Sequence, residues 1–285
     1  VAVTYSHIFW LHFQLITEYN IDDAKEGHIF ATYEHGGRTV YMGRFFKSAD
    51  AWWQTREGAA FWMKDVTTYG ANDYVKGLLA LLAERAPRTV FEVGLGTGYP
   101  FAGSLLEKNV DVHGCDVSDF LLQTLRERYP RIRWHHCGYE DIVAAANGQR
   151  YDAVYCFRSS WYFTDLFKAI DNMLALARPG GAVLFDIMNS QSPAIHAFVR
   201  ATRMKKYRAL VKNAVKWALN PFVKKKFVYY DVNQISSSHP VSPEAVDAFL
   251  DGKNATYQKY TFEQVSGVAA HFDPNNFRIV YRVSV

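Results

Sequence analysis

Between Thr89 and Met188 the chain alternates short apolar runs with longer segments whose apolar residues recur every three or four positions. The runs 89–93, 110–115, 132–137, 151–157 and 182–188 lack polar alternation, which predicts strands buried on both faces. Between them, 101–107, 118–129 and 164–177 read as helices, the last carrying Leu166, Phe167, Ile170, Met173, Leu174 and Ala177 at helical spacing. Ser118 is expected to cap the second helix, and Pro130 to stop it. Pro179-Gly180-Gly181 reads as the turn before the fifth strand. Strands that alternate with helices in this way predict an α/β fold, a doubly wound and mostly parallel sheet.

The flanks have other patterns. Segments 29–33 and 39–46 predict a β-hairpin closed around His35-Gly36-Gly37-Arg38, and 50–82 a helical stretch broken near Gly70. After the fifth strand comes an insertion, 190–238. A helix at 243–250 capped by Ser242 follows, then late strands at 255–265 and 277–285 that would bring the sheet to seven. The expected organisation is an N-terminal appendage, 1–86, and a ligand-binding domain, 87–285, that carries the insertion.

The chemistry centres on Thr89-Val90-Phe91-Glu92-Val93-Gly94-Leu95-Gly96-Thr97-Gly98, a strand running through glycines into a helix. Glycines tolerate positive φ and let a ligand approach the backbone, and the helix start offers free N–H groups. A dinucleotide fingerprint needs Gly-x-Gly-x-x-Gly, but position 99 is Tyr; the Lys-Ser/Thr of a P-loop is also absent. Glu92 would repel a pyrophosphate and suits a cationic ligand. Asp116 ends the second strand, where a carboxylate can accept ribose hydroxyls.

From about 69 to 188 the chain resembles class I (Rossmann-like) methyltransferases dependent on S-adenosylmethionine (SAM). The resemblance rests on Glu-x-Gly-x-Gly-x-Gly at 92–98, Asp116, Tyr151-Asp152-Ala153-Val154, and Arg178-Pro179-Gly180-Gly181. It implies a seven-stranded sheet of the class I type, SAM as cofactor and S-adenosylhomocysteine (SAH) as product. It also implies a cofactor site made by Glu92, Gly94, Gly96, Gly98, Asp116, Val117, Gly138, Tyr139 and Phe157. The family's adenine-holding acid after the third strand is replaced by Gly138, leaving Tyr139 and the backbone, or Glu140 or Asp141, for that contact. Segment 50–82, with Trp52, Trp53, Phe61, Trp62 and Tyr69, is expected to close over the cofactor.

For the acceptor, the resemblance points to the stretch after the fourth strand, with Arg158, Trp161 and Tyr162 as candidates. His196 and His239, flanking the insertion, are candidate bases. No carboxylate cluster suggests a metal. The expected reaction is methyl transfer to a small-molecule, glycan or lipid-linked acceptor at oxygen. An RNA or protein methyltransferase, or a catalytically silent SAM-binding subunit, stands as the alternative.

Composition sharpens this only locally. The 285 residues are 49% hydrophobic and 21% charged, with net charge +4. No apolar run is long enough to span a membrane. The first sixteen residues lack a basic leader and a small-residue cleavage site, which argues against a signal peptide; opening on Val, the chain could also be part of a longer protein. The three cysteines, Cys115, Cys137 and Cys156, have no zinc-like spacing, read as small buried hydrophobes and fit a cytoplasmic location. The charge gathers in 198–227, which holds Arg200, Arg203, Lys205, Lys206, Arg208, Lys212, Lys216 and Lys224-Lys225-Lys226 and no acid. Met204, Tyr207, Val211, Ala214 and Ala218 recur there at helical spacing, with Asn220-Pro221 as the stop. A basic helix of this kind suits an anionic acceptor or a membrane surface, or is simply a solvated face. Nucleic acid ranks last, since no recognised binding module accompanies it.

Overall fold

The computed structural model describes residues 30–35, 38–44, 59–60, 63, 72–219, 222, 238–268 and 276–285. The aromatic stretch around Trp52, Trp53, Phe61, Trp62 and Tyr69 and the run Lys224–Lys226 lie outside them. Strands β1 (Phe30–His35) and β2 (Arg38–Arg44) pair antiparallel as a two-stranded sheet, the expected hairpin.

A seven-stranded sheet carries the rest. Its parallel members are β3 (Thr89–Val93), β4 (Asp111–Asp116), β5 (Arg133–His136), β6 (Tyr151–Cys156) and β7 (Ala177–Met188). Strands β8 (Thr256–Thr261) and β9 (Arg278–Ser284) complete it in the order β5-β4-β3-β6-β7-β9-β8, with β9 antiparallel to both neighbours. The chain thus reverses strand order at β3, between β4 and β6, and opens a crevice beyond the carboxyl ends there.

Alternate residues of the inner strands feed two cores. Phe91, Val93, Val154, Cys156, Val183 and Phe185 face α5 (Leu166–Leu176) and α7 (Pro243–Gly252). Val90, Ala153, Tyr155 and Leu184 face α1 (Asp73–Ala83), α2 (Phe101–Glu107) and α3 (Asp119–Arg128). Helix α1 buries Tyr74, Val75, Leu78, Leu81 and Leu82 at helical spacing, so it belongs to the layers of the sheet although it falls within 1–86. The short α4 (Ile142–Ala145) follows β5.

Several local expectations change. Ser118 occupies the N-cap of α3, but its side chain makes no cap bond; the helix expected from 164 starts at Leu166, capped by Asp165, which accepts Lys168 N–H at 3.0 Å. The turn at Pro179-Gly180-Gly181 interrupts a longer strand. Tyr151 pairs with Ala177 and Ala153 with Ala182, so Arg178–Gly181 loops out, with Gly180 at φ +79°. The late strand expected at 255–265 stops at Thr261. There Thr261 and Gln264 form a reciprocal capping box that starts α8 (Phe262–Ser266).

The insertion begins as one long helix, α6 (Pro193–Leu219). The spacing of Met204, Tyr207 and Val211 marks a face, but that face is exposed; Asn213, on the opposite side, is buried. Among the described residues no helix is long and apolar enough to cross a membrane.

Candidate functional site

The glycine turn is held from β4. Gly94 and Leu95 N–H both donate to the Cys115 carbonyl, at 3.0 and 2.8 Å. Gly96 N–H donates to Asp116 Oδ2 at 2.8 Å, and Ser118 N–H to Asp116 Oδ1 at the same distance. One carboxylate therefore fixes both the turn after β3 and the start of α3. Gly98 sits at φ +75°, and a Cβ there would lie 2.6 Å from Leu125 Cδ1, so this glycine lets α2 start close against α3.

Glu92 is 4% exposed and lies behind the turn. It accepts from Tyr155 Oη–H at 2.9 Å and from the Ala102 backbone in the first turn of α2. Burial pushes its pKa from near 4.5 up to about 8, against the lowering effect of the Tyr155 bond. The acid expected to face a cationic ligand is thus internal, between β6 and α2.

The crevice contains a cleft of about 660 Å³, open mouth included. Val93, Gly94, Cys115, Asp116, Val117 and Leu121 line one side. Cys137, Gly138, Tyr139 and Glu140 follow from the end of β5, and Ser159, Tyr162 and Phe163 from the end of β6. The Tyr139 ring stands 4.6 Å from that of Phe163, while its hydroxyl bonds Thr164 Oγ1 at 3.0 Å and accepts from Asp165 N–H at 3.1 Å. Tyr139 thus presents a ring to the cleft and spends its hydroxyl on α5. Glu140 lines the cleft; Asp141 does not. Cys115 and Cys137, read as buried hydrophobes, both reach the wall, and a hydrogen bond from the Cys115 thiol lowers the Cys137 pKa.

Phe157, expected near the cofactor, is 2% exposed and packs in the core 5.2 Å from Phe101 and 5.3 Å from Tyr155. Strand alternation turns it to the α2 side, and Ser159 takes the place on the wall. Arg158 is buried in the left-handed region at φ +62°, and its N–H donates to Asp186 Oδ1 at 2.7 Å. Asp186 is wholly buried; it also accepts from Tyr74 Oη–H at 3.1 Å and has Arg278 at 3.9 Å. Burial raises its pKa and Arg278 opposes that. The Arg278 guanidinium lies 4.6 Å over Trp161 and 5.3 Å over Tyr74. Sequence reading missed Asp186, Tyr74 and Arg278. The available signal was an acid inside the apolar run 182–188, which needs a partner when buried.

The structure gathers Arg158, Trp161, Tyr162 and His239 at one edge, since His239 N–H donates to the Trp161 carbonyl at 2.7 Å. His239 and His196 are both exposed. His196 is in the first turn of α6, next to Ile195, which packs with Trp161 and Met188.

Residues 90–181 match the family model described as a methyltransferase domain. A ubiquinone biosynthesis O-methyltransferase of Alkalilimnicola ehrlichii is 27% identical over 161 residues, 55% of this chain and 62% of that protein. A malonyl-[acyl-carrier protein] O-methyltransferase of Halorhodospira halophila is 31% identical over 101 residues, 35% of this chain and 34% of that protein. The chain thus matches only part of the length of these relatives. Among solved structures, the plantazolicin methyltransferase BamL, in complex with a triazolic desmethylPZN analog and SAH, shares the fold. Its TM-score is 0.53 at 10% identity, over 83% of this chain and 94% of that one. Fold, glycine turn and matched segment agree: residues 90–181 match a methyltransferase domain, set in a sheet of the class I (Rossmann-like) methyltransferase fold.

Proposed function

We propose that the chain transfers the methyl group of SAM to an oxygen of a small-molecule or lipid-linked acceptor. The observation that carries this reading is the cleft at the strand-order reversal, with Asp116 on its wall. Asp116 Oδ2 accepts Gly96 N–H and Oδ1 accepts Ser118 N–H, and a carboxylate has about four acceptor positions in all, so capacity remains on the cleft side for a ribose hydroxyl. The residues fit the group in other ways. Backbone comes close at Gly94, where a Cβ would meet Ser159 Oγ at 2.6 Å. Tyr139 and Phe163 offer ring faces for adenine beside Val117 and Leu121, and Glu140 an acceptor for its amino group. Gly96 and Gly98 shape the turn, and Glu92 braces it from behind.

SAM supplies an electrophilic methyl on a sulfonium. The protein must hold an acceptor oxygen in line with it and take up the acceptor's proton. Tyr162, on the cleft wall, and Arg158, behind it, are the proposed acceptor-side residues. His239, tied to Trp161 by its backbone, is the proposed base, with an imidazole nitrogen receiving the proton; His196 is the second candidate. The names of the two relatives support oxygen as the methylated atom.

The test has two arms. SAH binding to the purified chain is measured by calorimetry, and labelled methyl transfer from SAM is followed with hydroxylated quinone precursors and malonyl thioesters. Absence of SAH binding would overturn the cofactor site, and label recovered on nitrogen would overturn the choice of oxygen. His239→Ala is expected to lower kcat roughly 100-fold or more while SAH affinity holds. An unchanged kcat would remove His239 as base.

A further inference from the structure

Helix α6 carries apolar residues on two opposite sides. The inner side holds Val199, Leu210 and Trp217, partly buried, with Asn213 buried. The outer side holds Met204, Tyr207, Val211, Val215 and Leu219, which are 44%, 63%, 45%, 53% and 47% exposed. Their spacings of three and four residues set them on one stripe, roughly 22 Å long at about 1.5 Å per residue. Phe222, beyond the helix end, is more exposed still. Single exposed apolar side chains are ordinary, but a continuous stripe turned directly away from the body of the protein is not.

The charges around the stripe identify what it meets. Arg200 and Arg208 fall within its borders on the helical wheel, Lys205 and Lys212 along one flank, and Arg203 along the other. No acid occurs between Asp186 and Asp231. A protein partner of mixed charge would leave several of these cations facing no anion. A layer with apolar interior and anionic surface satisfies both features: the stripe enters among the acyl chains while the long Arg and Lys stems carry their charges back to the phosphates. We infer that α6 is a docking helix for a bilayer leaflet that carries anionic headgroups. The helix starts five residues after β7 ends, beside Trp161, so docking holds the cleft edge near the bilayer.

The experiment is flotation of the full chain with vesicles of phosphatidylcholine alone or mixed with phosphatidylglycerol. The wild-type chain is expected to float with the mixed vesicles, less at raised salt, and not with phosphatidylcholine alone. Tyr207→Glu/Val215→Glu, at exposed positions, should abolish flotation while circular dichroism and SAH affinity stay unchanged. Arg203→Glu/Lys205→Glu/Arg208→Glu keeps every apolar residue of the stripe and should weaken partitioning at least roughly 100-fold; this variant decides the matter if the first does not fold. The inference is overturned if the wild type ignores anionic vesicles, or if either folded variant floats as the wild type does. It is also overturned if the wild type is a dimer that Tyr207→Glu/Val215→Glu dissociates and neither protein binds vesicles. No arm uses methyl transfer, so failure here is distinguishable from failure of the proposed reaction.

Discussion

Asp116 does two things at once, and its replacement by alanine should separate them. In the ligand-free protein the carboxylate accepts Gly96 N–H and Ser118 N–H, each at 2.8 Å. A hydrogen bond to a charged group contributes about 1.5–3 kcal/mol. Asp116 is half-buried, so water can reach part of what the substitution strands. The expected loss of stability is therefore nearer one such bond than two, about 1.5–3 kcal/mol, or a fall in melting temperature of about 3–10 °C. The oxygens that face the cleft disappear as well. Losing their bonds to a ribose should weaken SAH binding by a similar energy, roughly 10- to 150-fold. Asp116→Asn keeps one carbonyl oxygen and should fall between wild type and alanine in both measurements. Thermal unfolding without ligand reads the first effect, and SAH calorimetry below the melting range reads the second. SAH affinity within about twofold of wild type in Asp116→Ala would mean that the carboxylate only braces the turn. An unchanged melting temperature would sink the bracing argument instead.

Other outcomes follow from the same geometry. Glu92 is protonated in the folded protein up to about pH 8 but ionises near pH 4.5 once unfolded. Its contribution to stability is therefore complete below about pH 4.5 and lost as pH rises towards 8. Relative to Glu92→Gln, the wild type should lose stability across that window in denaturant titrations; parallel curves would show that Glu92 does not titrate there. Gly98→Ala combines a positive φ with a contact at 2.6 Å and should cost about 1–3 kcal/mol, partly recovered when Leu125 is shortened to Ala in a double-mutant cycle. Strict additivity would refute the contact. Asp186→Ala strands Tyr74, Arg158 N–H and Arg278 around a buried site and should cost about 3–5 kcal/mol in urea unfolding. A cost below about 1 kcal/mol would show that Asp186 does not hold this network.

The inner parallel strands were legible because burial on both faces removes polar alternation, and ends such as 110–115 against Asp111–Asp116 differ by a residue; β5, at the sheet edge, is exposed or half-buried throughout, contrary to that expectation. The pairing of the glycine turn with Asp116 was legible because closely spaced glycines after one strand and an acid at the end of the next form a local pattern, which the structure joins through Gly96 N–H. What a side chain faces was less accessible. Glu92 looks like a ligand-facing acid by position, but Tyr155, three-dimensionally adjacent and 63 residues away, draws it inward. Met204, Tyr207 and Val211 have the spacing of a buried face, yet periodicity alone does not say which side of a helix the protein covers. The Asp186 network joins α1, the turn after β6, β7 and β9, and no local pattern links residues so distant. The start of α8 was legible in principle: Thr261 followed three residues later by Gln264 is a helix-start pattern that the strand reading passed over.

The position of β9 also governs the order in which the sheet can be assembled. This strand is the last of the seven to be synthesised, yet it sits inside the sheet, between β7 and β8. Until it emerges, β7 has an open edge whose residues from Ala182 to Met188 are all buried in the finished protein. Among the described residues strand β8 pairs only with β9, so it must wait for β9 as well. The nascent chain therefore carries five strands of the sheet with an open apolar edge, the kind of edge that pairs with other chains, throughout translation of residues 189–277. Solubility during synthesis is decided by how quickly β9 inserts once it is available, and a chain ended before Arg278 would be left with that edge permanently open.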